Sequence, residues 1–173
     1  MNMKVKKGFT IFFAMLVGSL SLAIGLAIYD LTVRELDLSS TATQSQYAIY
    51  AADTGAECAL YWDFKCEMLG ECTSNGAANS AFATSSKSSP PSADVFCNSI
   101  DIAGGPPAAW TVDSTLTSAE TTFSITFAPQ PYCATVTVAK SGAPVKTVIT
   151  SRGYNTCTSG AATRLERVLK VTY

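Results

Sequence analysis

The sequence predicts an α+β protein: a long N-terminal α-helix, its inner half transmembrane, packed on a C-terminal antiparallel β-sheet. Three observations predict it. No Asp, Glu, Lys or Arg occurs from Gly8 to Tyr29, a 22-residue uncharged run. The helical pattern continues well past that run, and no proline interrupts residues 9–89. The last third of the chain alternates apolar and polar residues in four separate runs. The chain thus divides into a basic leader (1–8), a membrane half of the helix (9–29), an amphipathic outer half (30–62) and a β-rich globular domain (63–173).

Lys4, Lys6 and Lys7 crowd the start of the chain, directly before Gly8 and Phe9. At about 1.5 Å rise per residue, a helix over the uncharged run spans a hydrocarbon core of roughly 30 Å. Lysines flanking such a helix resist translocation. They predict a cytoplasmic N-terminus and an extracytoplasmic remainder.

Beyond the uncharged run, Leu31, Leu38, Ala42, Ile49, Ala52, Ala56 and Ala59 recur at steps of 7, 4, 7, 3, 4 and 3, the stripe of an amphipathic helix. Tyr29, Asp30 and Leu31 contain no breaker, so one helix is expected to run from Phe9 to about Trp62, roughly 80 Å long. Gly55 is its weak point, costing about 1 kcal/mol relative to alanine in a helix interior. Residues 70–93, rich in Ser, Ala, Asn, Thr and Gly and ending in Pro90-Pro91, read as loop, as does Gly104-Gly105-Pro106-Pro107.

The strands come last. Thr121–Phe127 places Phe123, Ile125 and Phe127 on one face, and Tyr132–Ala139 aligns Ala134, Val136 and Val138. Lys140 to Pro144 forms a five-residue connection to Val145–Ser151, and Leu165–Tyr173 follows. Four runs at hairpin spacing predict an antiparallel sheet with one buried face. The outer half of the helix is the available cover.

Composition narrows the chemistry. Charged residues make up 14% of the chain, against about 25% in an average soluble protein. From Leu36 onward there are 8 basic and 11 acidic residues and no dense basic run, so charge gives no support for nucleic-acid binding. Histidine is absent, which removes the commonest general base and metal ligand. No Gly-x-Ser-x-Gly, Gly-x-x-x-x-Gly-Lys or His-Glu-x-x-His motif occurs. The expectation is a non-enzyme with no cofactor and no metal. Asp63, Glu67, Glu71, Asp94, Asp101 and Asp113 form no calcium-loop pattern and read as solvated surface.

Cys58, Cys66, Cys72, Cys97, Cys133 and Cys157 all follow the uncharged run, without a Cys-x-x-Cys. Six cysteines in an extracytoplasmic domain read as up to three disulfides, with 15 possible pairings left open.

The segment Lys6-Lys7-Gly8-Phe9-Thr10-Ile11 resembles the class III signal of type IV pilins and pseudopilins. Ala51-Ala52-Asp53-Thr54-Gly55-Ala56-Glu57 resembles the Ala-Ala-Glu-Ala-Gly stretch of PilX-type minor pilins. Ile149 to Tyr154, Arg164-Leu165-Glu166-Arg167 and Tyr173 resemble their closing strands. Residues 63–131 carry no resemblance. The resemblance implies that a prepilin peptidase cleaves between Gly8 and Phe9 and methylates Phe9. It implies a pilin-like fold and a bacterial inner-membrane precursor with a cytoplasmic N-terminus. Its partners would be the inner membrane before assembly, then other pilin subunits in a homo- or hetero-polymeric extracellular filament.

One departure is informative. Most pilins place glutamate at the fifth mature position; here that position is Phe13. A carboxylate in a bilayer is costly unless paired, and tip pseudopilins also lack it. Phe13 therefore points to a minor or tip subunit. Gly18 and Gly25, seven residues apart, form a small-residue face suited to close helix packing. The implied function is a structural minor subunit of a type IV pilus-like filament. The alternatives are a pseudopilin of a type II secretion or DNA-uptake machine, or a signal-anchored surface binding domain that never polymerises. A cleavable secretory signal ending at Ser21-Leu22-Ala23 is a further reading.

Overall fold

The structure, a computed structural model, describes residues 7–64, 80–83, 95–103 and 111–173. The chain forms two compact units, Met1–Ala42 and Thr43–Tyr173. A single helix, α1 (Lys7–Phe64), contributes to both. Seven strands follow: β1 (Phe96–Cys97), β2 (Ile100–Asp101), β3 (Thr111–Ser114), β4 (Ser118–Thr126), β5 (Cys133–Ser141), β6 (Lys146–Tyr154) and β7 (Glu166–Thr172). The protein is α+β, with the long helix packed on a C-terminal antiparallel sheet.

In the first unit, every described side chain from Phe9 to Ala42 is exposed. Hydroxyls along this stretch are satisfied locally. Ser21 donates to the Val17 carbonyl at 2.9 Å, and Thr32 to that of Ile28 at 2.8 Å. Such bonds to the preceding turn let Ser and Thr sit in an apolar helix without orphaned donors.

The second unit is built on the sheet β3-β4-β5-β6-β7, each neighbour antiparallel. Period-two alternation sends one set of side chains inward. The register aligns them in rows: Phe123 opposite Val136 opposite Ser151, and Ile125 opposite Ala134 opposite Gly153. These rows are buried. The other face carries hydroxyl pairs, with Thr122 and Thr137 oxygens 3.1 Å apart.

Helix residues Ala48, Ala51, Ala52, Ala56 and Ala59 cover the sheet's apolar face. The expected stripe holds at Ala52, Ala56 and Ala59 but not elsewhere. Ile49 is 45% exposed, and Ala48 and Ala51 are buried in its place. The reason is distance. A Cβ on Gly153 would lie 2.0 Å from the Ala48 carbonyl oxygen and 2.4 Å from the Ala52 nitrogen. At that approach only alanine-sized side chains fit between helix and sheet, so Ile49 turns away.

The strands also run beyond their expected ends. β5 extends to Ser141 and β6 begins at Lys146, leaving a four-residue turn where a five-residue connection was expected. Gly142 takes φ 87° in that turn, a left-handed conformation that glycine adopts without Cβ strain. β1, β2 and β3 carry too few alternating residues to be visible in sequence. Of the loop expected at 70–93, residues 80–83 are described and are buried. Phe82 stacks on Phe123 with centroids 5.8 Å apart. Burying one such ring stabilises the fold by about 2–3 kcal/mol. The Gly104–Pro107 loop lies outside the described residues.

Candidate functional site

Besides the cysteines, the residues singled out in the sequence lead to two regions, and the structure adds a third. The first is the start of the helix. Lys4 and Lys6 lie outside the described residues. Lys7 and Gly8 belong to the first turn of α1. Phe9 is 73% exposed and Phe13 59% exposed. Neither Gly18 nor Gly25 has any atom of the chain within 4 Å of an added Cβ. Their bare helix face has no partner within the described chain.

The second region is the seam between helix and sheet, where the two stretches carrying the family resemblance meet. Gly55, from Ala51–Glu57, faces Ser151, from Ile149–Tyr154. A Cβ on Gly55 would lie 2.6 Å from the Ser151 Oγ and 2.8 Å from Val136 Cγ2. Gly55 is therefore a close-approach residue and not the weak point its helix propensity suggested. Ser151 Oγ is buried without a hydrogen-bond partner, a cost of about 1–3 kcal/mol.

The closing residues fasten the same seam from its edge. Asn155 donates to Gln44 Oε1 at 2.9 Å and to the Thr163 carbonyl at 3.0 Å, and accepts from the Leu165 amide at 2.7 Å. Arg167 donates to Ser45 Oγ at 2.8 Å. Arg164 lies 3.9 Å above the Tyr154 ring, and Arg152 pairs with Glu166 at 2.7 Å.

The third region was not anticipated. Asp63, read from sequence as solvated surface, is buried. Its Oδ1 accepts from Lys140 Nζ at 2.5 Å and from the Ser80 hydroxyl. Its Oδ2 accepts from the Tyr173 hydroxyl at 2.5 Å. Burial, followed by the hydrogen bond and charge of Asp63, pushes the Tyr173 phenol well above its ordinary range. Nearby, the Ala81 amide donates to the Trp62 carbonyl at 3.2 Å, capping the helix end. Asp101 is half-buried and accepts from the Ala103 amide at 2.9 Å, while Asp113 is exposed. Glu67, Glu71 and Asp94 lie outside the described residues. The described residues contain no cluster of three metal-ligating side chains.

Of the six cysteines, Cys58 and Cys97 are joined, with Cα atoms 5.9 Å apart. Asn98 and Ser99 at φ 50° and 63° make the tight turn that presents Cys97. Trp62 Nε1 donates to the Phe96 carbonyl at 2.9 Å beside the bridge. Cys133 and Cys157 are thiols. Cys66 and Cys72 lie outside the described residues. One disulfide is thus present among the described residues where up to three were expected.

The chain matches no family model, no curated protein and no solved structure. What the geometry defines is a class of protein: a long apolar helix, compatible with membrane anchoring, that carries a disulfide-bearing antiparallel β domain.

Proposed function

We propose that this chain is a minor subunit of a type IV pilus-like filament, assembled through its N-terminal helix. One observation carries the reading. The helical segment after the Lys-Gly-Phe junction is uncharged to Tyr29, and each of its described side chains is exposed. So large an apolar surface on a single chain needs lipid or neighbouring helices around it. A pilin-type helix uses both in turn.

In this reading, residues 9–29 hold the precursor in the inner membrane, with Lys4, Lys6 and Lys7 fixing the cytoplasmic side. Prepilin peptidase cuts between Gly8 and Phe9 and so removes all three charges. The helix then exchanges lipid for other subunits, with Gly18 and Gly25 allowing close approach. Phe13 puts no carboxylate in the bilayer, so the subunit carries no charge for a neighbour's amino terminus to neutralise. That suits a protein present in few copies. The β domain stays outside as the displayed surface, stapled by Cys58–Cys97. The mechanism is assembly, with no bond made or broken by the protein itself.

Mass spectrometry of the mature N-terminus tests this. A methylated Phe9 is the expected result. An intact Met1 would leave a signal-anchored surface protein. A start at Ile24 would mean a cleaved secretory signal.

A further inference from the structure

We propose that Cys133 and Cys157 are the site of a second disulfide, formed by exchange with an extracytoplasmic disulfide oxidant and closing the turn after β6 onto the start of β5. The inference rests on the extracytoplasmic placement of the β domain proposed above.

The backbone brings the two cysteines together by two independent contacts. Cys133 opens β5 and stands directly opposite Tyr154, three residues before Cys157. The Cys157 amide donates to the Pro131 carbonyl at 2.9 Å, two residues before Cys133. The chain thus returns across the β5–β6 hairpin and anchors on the segment it left. The side chains agree with the backbone, because Cys157 is among the groups that raise the Cys133 thiol. Two cysteines this close in a fold that already holds one disulfide are a pair awaiting an oxidant.

Their environments differ, and the difference orders the chemistry. Cys157 is exposed and Cys133 is half-buried. Burial first, then the hydrogen bond and charge of Cys157, push the Cys133 thiol up to about 12, with Arg164 pulling the other way. The exposed thiol is the one an oxidant can reach, so Cys157 reacts first. Its sulfur attacks the oxidant's disulfide, one oxidant sulfur leaves as thiolate, and a mixed disulfide forms. Cys133 then loses its proton and attacks the Cys157 sulfur, and the second oxidant sulfur leaves. Two thiols become one disulfide, and the two electrons and two protons end on the oxidant as a dithiol.

The full chain, expressed with its helix and purified in detergent with free thiols blocked on lysis, is digested without reduction and its cross-linked peptides sequenced. The expected result is a Cys133–Cys157 peptide beside the Cys58–Cys97 peptide. Finding Cys58–Cys97 intact with Cys133 and Cys157 alkylated, or either joined to Cys66 or Cys72, overturns the inference and leaves the placement standing. Finding both pairs reduced overturns the placement and the inference together. The single variants check the order. With Cys133→Ser the remaining Cys157 thiol should react with maleimide in the folded protein at least roughly tenfold faster than the Cys133 thiol of Cys157→Ser, as its exposure requires. Equal rates would refute the assigned order.

Discussion

Gly153 of β6 lies so close to Ala48 of α1 that a single methyl on the glycine would overlap the alanine's carbonyl oxygen, 2.0 Å away. Helix and sheet meet backbone to backbone at this point, and the alanines around it follow from the same closeness. Gly153→Ala should therefore force the helix off the sheet and cost about 3 kcal/mol or more, as overpacking of a close contact does. Chemical denaturation of the full chain in detergent, followed by tryptophan fluorescence, reads the loss. Gly18→Ala is the counterpart. Its added methyl meets nothing within 4 Å, so the denaturation midpoint should stay, while filament incorporation should fall if that face packs against neighbouring subunits.

Asp63 and Lys140 form a buried ion pair whose side chains are 4% and 9% exposed. Breaking such a pair from one side leaves a buried charge and costs about 3–5 kcal/mol. Asp63→Asn and Lys140→Met should each destabilise on that scale. The double variant should recover much of the loss. Additive losses in the double-mutant cycle would show that the two residues act separately.

Tyr173 gives the fold an alkaline limit. Its folded phenol ionises well above the ordinary tyrosine range because burial and Asp63 disfavour the phenolate. The unfolded chain loses this proton near the ordinary value of about 10, so above that pH the unfolded state binds fewer protons and is favoured. This contribution is complete below about pH 10 and falls as pH rises toward the folded value. Tyr173→Phe should flatten that part of a stability-versus-pH profile. An unchanged slope would place the alkaline sensitivity elsewhere.

The Cys58–Cys97 bridge spans 39 residues, for which chain entropy predicts about 4 kcal/mol of stabilisation. Cys58→Ser should lower the denaturation midpoint accordingly. Reductant should destabilise the wild type and leave the variant unchanged at that site.

The helix and the four long strands were legible because periodicity repeats over many residues, and one wrong position does not erase it. The strand faces were correct to the residue at Phe123, Ile125, Ala134, Val136 and Val138. The helix face was read less well. Hydropathy favoured Ile49, whereas the packing distance set by Gly153 favoured Ala48, and propensity alone cannot see a neighbour across 100 residues of sequence. Asp63 failed for the same reason: its partners Ser80, Lys140 and Tyr173 come from three distant segments. The short strands β1 to β3 had too few residues to show a period. Phe82 was hidden by its setting, one aromatic in a stretch whose composition reads as linker.

Among the described residues, no buried side chain precedes Ala48. The folding cooperativity of the β domain therefore does not extend into residues 9–42. Whatever surrounds that stretch can be exchanged without altering a single core contact. Stability and association become separately tunable quantities, and substitutions in the two regions should combine without interaction. Selection can thus adjust how firmly the chain is held by its surroundings without retuning how firmly it is folded.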